Sequence, residues 1–314
     1  MANIKKRIGI VGIGGVGGFI GAPLAAFYAH RPEVEIVFIC RGETLQSIQQ
    51  QGLVFRSAGQ EQTVKPALAS DDPAAIGQLD ALFICTKSYA LAEVLHTYSD
   101  CIGPDTLLVP LQNMVHAAEV IRQVLPAKGR VLEGCIYVVS NMAAPGVVEH
   151  KGGPGKVYIG GEAPESAAWL VKAIRAAGVD LSFSHNIKEV LWQKYLFLSP
   201  VAAVTTAYQV TFGAIAADAA LLEVLHFMML EINALASATG VNLPEESVAT
   251  AKALLTKFPA ESKTSMQLDF EQHLRNEKPF LVDYVLAKAK EAGIPAVAYE
   301  QVNEKITALY PALG

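Results

Sequence analysis

Residues 7–21 read Arg7-Ile8-Gly9-Ile10-Val11-Gly12-Ile13-Gly14-Gly15-Val16-Gly17-Gly18-Phe19-Ile20-Gly21. An apolar run of strand type leads in, glycines punctuate the middle, and a helical pattern continues to Ala29. Gly12, Gly14 and Gly17 form G-x-G-x-x-G between strand and helix, the context in which that motif holds a dinucleotide. Gly12 permits the tight turn, Gly14 lets backbone approach a pyrophosphate, and Gly17 lets helix and strand pack closely. The helix start then turns free N–H groups and a positive dipole end toward the phosphates. Gly12, Ile13, Gly14, Gly15, Val16 and Gly17 are therefore candidate cofactor-binding residues.

The same segment has a competing reading. From Ile8 to Ala29 no residue is charged, and Lys5, Lys6 and Arg7 precede it, the outline of a signal peptide or spanning helix. Gly9, Gly12, Gly14, Gly15, Gly17, Gly18 and Gly21 fall within it and would weaken a continuous helix. A buried strand, a turn and a buried helix account for the residues better, and no membrane partner is expected.

Outward from this unit, strand-like runs recur at Glu35–Cys40, Ala81–Cys85, Thr106–Pro110 and Val131–Val139. Helical patterns alternate with them at Phe19–Ala29, Leu91–Tyr98 and Ala117–Val124. Such alternation predicts parallel strands with crossover helices, a doubly wound α/β sheet of Rossmann type. Val147–Lys151, flanked by Pro/Gly turns, reads as a late hairpin near the sheet edge. Past about Asp180 the strand signal fades. Ile187–Ala207, Ile215–Thr239, Glu245–Lys257, Lys263–Ala292 and Tyr299–Leu309 read as helices. This predicts an α/β cofactor domain over 1–183 followed by an all-α substrate domain over 184–314. A length of 314 residues suits two domains, and 52% hydrophobic residues supply ample core while excluding disorder. The net charge of −5 argues against a nucleic-acid partner. Cys40, Cys85, Cys101 and Cys135 have neither disulfide-framework nor zinc spacing, which fits a reduced cytoplasmic setting and no metal.

The second strand bears on the choice of nicotinamide cofactor. An acidic residue at its end would bond ribose hydroxyls, whereas an arginine suits a 2′-phosphate. Here the strand ends in Cys40-Arg41-Gly42, which favours NADP(H) over NAD, although Glu43 stands nearby. Lys87 and Asn113 follow two later strands, at the sheet end where ligands of such folds lie. In the second half, Lys194 is the last charge before Tyr195–Tyr208, a stretch without any. An apolar setting disfavours the ammonium form and suits a lysine to proton transfer near neutral pH. The plainer alternative is a lysine that snorkels to water beside Trp192.

Taken together these segments resemble the ketopantoate reductase (2-dehydropantoate 2-reductase) family. The resemblance is carried by the glycine turn, Arg41, Lys87, Leu111-Gln112-Asn113, Gly146-Val147-Val148-Glu149-His150 and Trp192-x-Lys194. It continues through Thr264-Ser265-Met266-Gln267-x-Asp269, Glu277 and Gly293-Ile294-Pro295. It implies that Lys194 is the proton donor, and that Glu277 holds cofactor ribose and organises the site. It further implies that Ser265 contacts substrate, that Asn113 touches both cofactor and substrate, and that Ser140 gives the cofactor a backbone contact. Departures occur at Leu198, Ala202 and Phe212, where the family carries asparagines, and at Met114 and Pro279. A hydroxylated substrate would then need Ser199, Thr205 or Tyr208 as replacement partners.

The resemblance implies NADPH-dependent reduction of 2-dehydropantoate to pantoate, a step toward pantothenate. The departures keep open a paralogous reductase of another, more apolar 2-oxo acid. A non-catalytic NADP(H) sensor is the third possibility, against which both Lys194 and Glu277 stand retained. The partner expected is a small 2-oxo acid. A homodimer is also open, since apolar helical stretches such as Leu221–Ala236 suit either a core or a dimer face.

Overall fold

The computed structural model describes residues 5–161 and 164–311. The chain divides into two compact units, the first made of residues up to Gln112 together with His116–Ile187. The second takes Asn113–Val115 and the chain from Lys188 onward.

The first unit begins β1 (Lys6–Val11), α1 (Gly15–Tyr28), β2 (Val34–Ile39), α2 (Gly42–Gln51), β3 (Leu53–Ser57), β4 (Gln60–Val64) and β5 (Leu68–Ser70). It continues with α3 (Pro73–Ile76), β6 (Leu79–Ile84), α4 (Leu91–Thr97), β7 (Ile102–Pro110), α5 (Ala117–Val124) and β8 (Arg130–Val131). Last come β9 (Glu133–Ala144), β10 (Val147–Gly160), α6 (Pro164–Ala176) and β11 (Leu181–Ser184). Six strands pair in the order β5-β2-β1-β6-β7-β8, every pair parallel. Strands buried on both faces must be apolar along their length, and Ile8, Ile10, Ile36, Phe38, Ala81 and Phe83 are all buried. The sheet grows from β1 outward to β2 on one side and to β6 on the other. The turn after β1 thus sits at the switch point where such sheets bind ligands.

A second sheet, β11-β10-β3-β4 with β9 paired antiparallel to β10, differs from the expected short edge hairpin. The apolar run expected as one strand over Val131–Val139 divides at Leu132. Val131 pairs with Leu108 in the parallel sheet, while Glu133 pairs with Gly160 in the other. The tight return at Gly146, φ +74°, lets twelve residues of β9 run back along fourteen of β10. α2, α3, β3–β5, α6 and β11 were not anticipated from sequence; α2 and β4 are largely polar, and α3, β3, β5 and β11 are only three to five residues long.

The second unit contains α7 (Ile187–Tyr208), α8 (Phe212–Ala217), α9 (Ala219–Ala238), α10 (Ser247–Leu254), α11 (Ser265–Glu271), α12 (Tyr284–Ala292) and α13 (Val297–Leu309). Two expected helices prove to be broken. Asp218 ends α8 and caps α9, its carboxylate accepting from the N–H groups of Ala220 (2.8 Å) and Leu221 (3.2 Å). The long pattern over Lys263–Ala292 breaks at Gln272–Lys278, where His273 takes a left-handed φ of +53°. Pro279, with no N–H to donate, then starts a five-residue π-helical turn, Pro279–Asp283, that leads into α12. By length and composition α9 could cross a membrane, yet Leu221, Leu225, Met228, Met229 and Ile232 lie buried in the core of this unit. Ile8–Ala29, the other membrane-like stretch, forms most of β1, the glycine turn and all of α1.

Candidate active site

The glycine turn is shaped by contacts that leave no room for side chains on three of its sides. Gly12 has φ +89°, and a Cβ there would lie 2.7 Å from both the backbone N and the side chain of Thr86. A Cβ on Gly15 would fall 2.1 Å from the Ser140 carbonyl oxygen, and one on Gly17 equally close to that of Gly12. Gly14 alone faces open space, with nothing within 4 Å of a Cβ. Gly14 is also the N-cap of α1, and no side chain caps that helix. The first intrahelical bond runs from Gly18 N to Gly14 O (2.8 Å), so the N–H groups before it point out of the helix start. Ile13 is buried under the turn, and Val16 is half-buried in the first helical turn.

After the neighbouring strands β6 and β7 stand buried polar atoms without a protein partner. Thr86 Oγ1, after β6, and both amide atoms of Gln112, after β7, are enclosed and unbonded. Each such group costs about 1–3 kcal/mol when left unsatisfied. Exposed N–H groups, an open Gly14 and waiting acceptors and donors at the strand ends fit a bound nicotinamide dinucleotide. Thr86 was not anticipated from sequence, and Gln112 only as part of the Leu111-Gln112-Asn113 turn, because a polar residue after a strand reads like any other turn residue.

The remaining expected contacts of this unit are less enclosed. Arg41 is the N-cap of α2 and exposed, with Nη1 3.3 Å from Glu93 Oε1. Lys87 is half-buried and opens the short 3₁₀ turn Ser88–Ala90. Ser140 lies on β9 opposite His150; its hydroxyl donates to the Glu149 carbonyl (3.1 Å), and its own carbonyl points at Gly15.

In the second unit, Lys194 Nζ donates to Asn113 Oδ1 at 2.9 Å. Two residues chosen independently from sequence, 81 positions apart, are thus brought into direct contact. Both are half-buried, a setting that orders the amine yet leaves it reachable. Ser265 is the first residue of α11 and exposed, just after Thr264, whose hydroxyl caps the helix by accepting from Gln267 N. Glu277 is 3% exposed and lies immediately before the π-helical turn, flanked by buried Asn276 and Lys278. Lys278 Nζ meets Asp283 Oδ1 at 2.8 Å, a pair not anticipated from sequence.

The hydroxyls expected as stand-ins for absent asparagines have other partners. Ser199 is fully buried, donating to the Leu281 carbonyl and sharing a hydrogen bond with Tyr299 Oη. Thr205, also fully buried, bonds the Ala202 carbonyl (3.2 Å) and Thr264 Oγ1 (2.9 Å). Tyr208 is half-buried, with Lys305 Nζ 4.0 Å from its ring centroid. Phe212 packs in an aromatic cluster with Phe197 and Phe258.

A parallel sheet with a glycine turn at its switch point, followed by a helical unit holding an ordered lysine, defines a Rossmann-fold oxidoreductase of the NAD(P)-dependent class. Residues 8–163 match the family model for ketopantoate reductase PanE/ApbA, and residues 186–309 match that for its C-terminal domain. The chain belongs to the ketopantoate reductase PanE/ApbA family. It is 27% identical over 300 residues to the uncharacterised oxidoreductase YkpB of Bacillus subtilis, covering 93% of this chain and 95% of that protein. A 2-dehydropantoate 2-reductase of Mesorhizobium japonicum is 26% identical over 314 residues, covering 91% of each. The crystal structure of a PanE/ApbA family ketopantoate reductase from Ralstonia eutropha superposes with a TM-score of 0.88 at 26% identity, covering 97% of this chain and 98% of that one.

Proposed function

We propose that the protein is an NADPH-dependent reductase of 2-oxo acids, with 2-dehydropantoate as the first substrate to test. The observation that carries this reading is the Lys194–Asn113 contact at 2.9 Å. An ammonium held by an amide oxygen is fixed in direction, and an N–H donor of this kind suits the oxygen of a ketone. NADPH, when bound, supplies the hydride for the ketone carbon. Lys194 gives its proton to the oxygen that becomes the hydroxyl, and its charge stabilises that oxygen as negative charge develops. Asn113 and Ser265 orient the acid, and Glu277 orders the cofactor side. The glycine turn, Gly12–Gly17, Thr86 and Gln112 would hold the dinucleotide, with Lys87 and the Ser140 backbone as further contacts.

Arg41 supports NADPH over NADH. Its exposed pairing with Glu93 is worth at most about 1 kcal/mol. A charge-assisted fork on a 2′-phosphate is worth about 1.5–3 kcal/mol, so the phosphate would win the guanidinium.

A second reading, a 2-oxo acid with an apolar side chain, is favoured by a specific observation. Ser199 and Thr205 are committed to internal hydrogen bonds, while Leu198 and Ala202 follow Lys194 at helical spacing. A substrate hydroxyl directed there would lack partners. The test is NADPH oxidation over a panel of 2-oxo acids, run beside Lys194→Ala and Lys194→Arg. Turnover in the wild type and a loss of about 10²–10⁴-fold in both variants is expected, because arginine does not release a proton near neutral pH. Wild-type turnover in the alanine variant would remove Lys194 from the chemistry; no turnover on any 2-oxo acid, with NADPH still bound, would favour a sensor. A homodimer built on the exposed face of α9 at Phe227 and Leu230 belongs to the same proposal, with light scattering as its measure.

A further inference from the structure

An ion pair with a buried lysine and a half-exposed aspartate lies beside Glu277, with a spacing that regular helices do not favour. Lys278 and Asp283 are five residues apart, and their side chains meet at 2.8 Å. In an α-helix, positions five apart point about 140° away from each other; neighbours are three or four apart. A π-helical turn repeats near every fifth residue, and Pro279–Asp283 is such a turn, closed by Tyr284 N donating to the Pro279 carbonyl. The pair is therefore matched to the π turn and opposed to its relaxation into an α turn.

The turn is also braced from outside. Tyr195 Oη donates to the Phe280 carbonyl at 2.7 Å, and Ser199 Oγ donates to the Leu281 carbonyl. Tyr299 Oη, from α13, completes the bracket by its hydrogen bond with Ser199. Tyr195 follows Lys194 directly on α7, and Ser199 lies one turn beyond. At the other end of the turn, the Glu277 carbonyl accepts from both Phe280 N and Leu281 N at 3.0 Å. One rigid chain of contacts thus runs from the helix bearing Lys194, through the π turn, to the backbone of Glu277. Removing one residue from the turn's register would rotate Glu277 by about 100° relative to α12.

We propose that Lys278 and Asp283 are positioning residues whose ion pair locks the π turn and so aims Glu277 in the same site as Lys194. This rests on the reading of Lys194 and Glu277 given above. With the Lys278 side chain 6% exposed and that of Asp283 44% exposed, the pair is an indifferent way to gain stability, because an ion pair open to solvent on its carboxylate side holds little advantage over apolar residues of similar size. That property separates positioning from simple support. The decisive variant is Lys278→Met combined with Asp283→Leu, measured for melting, NADPH affinity by calorimetry, and steady-state kinetics on the most active 2-oxo acid. Glu277→Gln and Lys194→Ala serve as benchmarks, and Lys278→Arg and Asp283→Asn as milder changes.

The apolar pair is expected to melt close to wild type while kcat falls about tenfold or more and KM for NADPH rises. Added to Glu277→Gln it should cause little further loss, because both changes disable one unit. Lys278→Arg should retain most activity. Wild-type kcat and KM in the apolar pair, or losses that multiply with those of Glu277→Gln, would overturn the proposal. Should the apolar pair fail to fold, Asp283→Asn takes its place: unchanged kinetics in that variant would overturn the proposal equally. Wild-type turnover in both benchmarks would instead bring down the underlying reading of the site, and the positioning role with it.

Discussion

Two glycines three residues apart should respond to the same substitution in opposite ways. At Gly17, a Cβ would sit 2.1 Å from the Gly12 carbonyl oxygen and 3.3 Å from Cys85 Cβ. The carbonyl is backbone in the tightest part of the turn, so about 1 Å of main-chain movement is needed to reach ordinary contact. Overpacking of this kind costs about 1–3 kcal/mol. For a unit of this size that lowers the melting temperature by roughly 2–4 °C per kcal/mol, so Gly17→Ala should lose up to about 10 °C. At Gly14 the backbone is extended and the space beyond is empty, so the alanine variant loses only the advantage of glycine at an N-cap, about 1 kcal/mol or less. The methyl would instead occupy the side from which a pyrophosphate approaches. NADPH affinity should fall at least about tenfold, or 1.4 kcal/mol, with the protein still folded. Scanning calorimetry without ligand, followed by titration with NADPH, separates the two effects. NADPH binding by Gly14→Ala within twofold of wild type would refute the assignment of that open face to the cofactor.

Arg41→Ala should weaken NADPH binding roughly ten- to a hundredfold and NADH binding much less; equal losses by calorimetry would remove the 2′-phosphate contact. Glu35 accepts hydrogen bonds from Lys5 and Arg7, and these hold its carboxyl below the usual range, against a smaller opposing effect of burial. A carboxyl whose folded value is lowered stabilises at high pH and loses that contribution as pH falls through the folded value. Glu35→Gln should therefore cost up to about 1 kcal/mol near pH 7 and nothing measurable near pH 3, as read by denaturant titration at both pH values. Burial pushes the Cys40 thiol up to about 12 and raises those of Cys85 and Cys101, so alkylation by iodoacetamide at pH 7.5 should be slow at all three until the chain is unfolded.

What sequence made legible follows from how local each signal is. β1, the glycine turn and α1 were readable because apolar strand, motif and helix are contiguous, and Gly12, Gly15 and Gly17 each answer a local steric demand. Lys194 stood out because the charge-free stretch Tyr195–Tyr208 follows it, and Asn113 because it follows a strand, although neither spacing nor pattern announced that the two would touch. The long β9–β10 pairing was not legible. Its register slips at Val147/Val148 and at His150/Gly152, and Gly152, Gly153 and Gly155 break the alternation by which strands are recognised. The break at Gln272–Lys278 was hidden by residues of good helix propensity, and only Pro279 marked it. Lys278 and Asp283 escaped notice because a five-residue spacing matches neither the helix nor the strand period.

The three residues Asn113–Val115 have a consequence for how this chain can be made and divided. They are numbered among the first unit's strands yet belong to the second unit, so the helical unit is not a continuous stretch of polypeptide. During synthesis the loop after β7 emerges about eighty residues before Lys194, and the amide must wait uncommitted until α7 exists to receive it. A fragment starting at Lys188 would carry the lysine without its acceptor. Grafting the helical half of a relative onto this sheet would mix an amide and an amine shaped in different proteins. Recombination between members of this architecture is therefore constrained at two seams at once, one at 187/188 and a second buried inside the nucleotide-binding half.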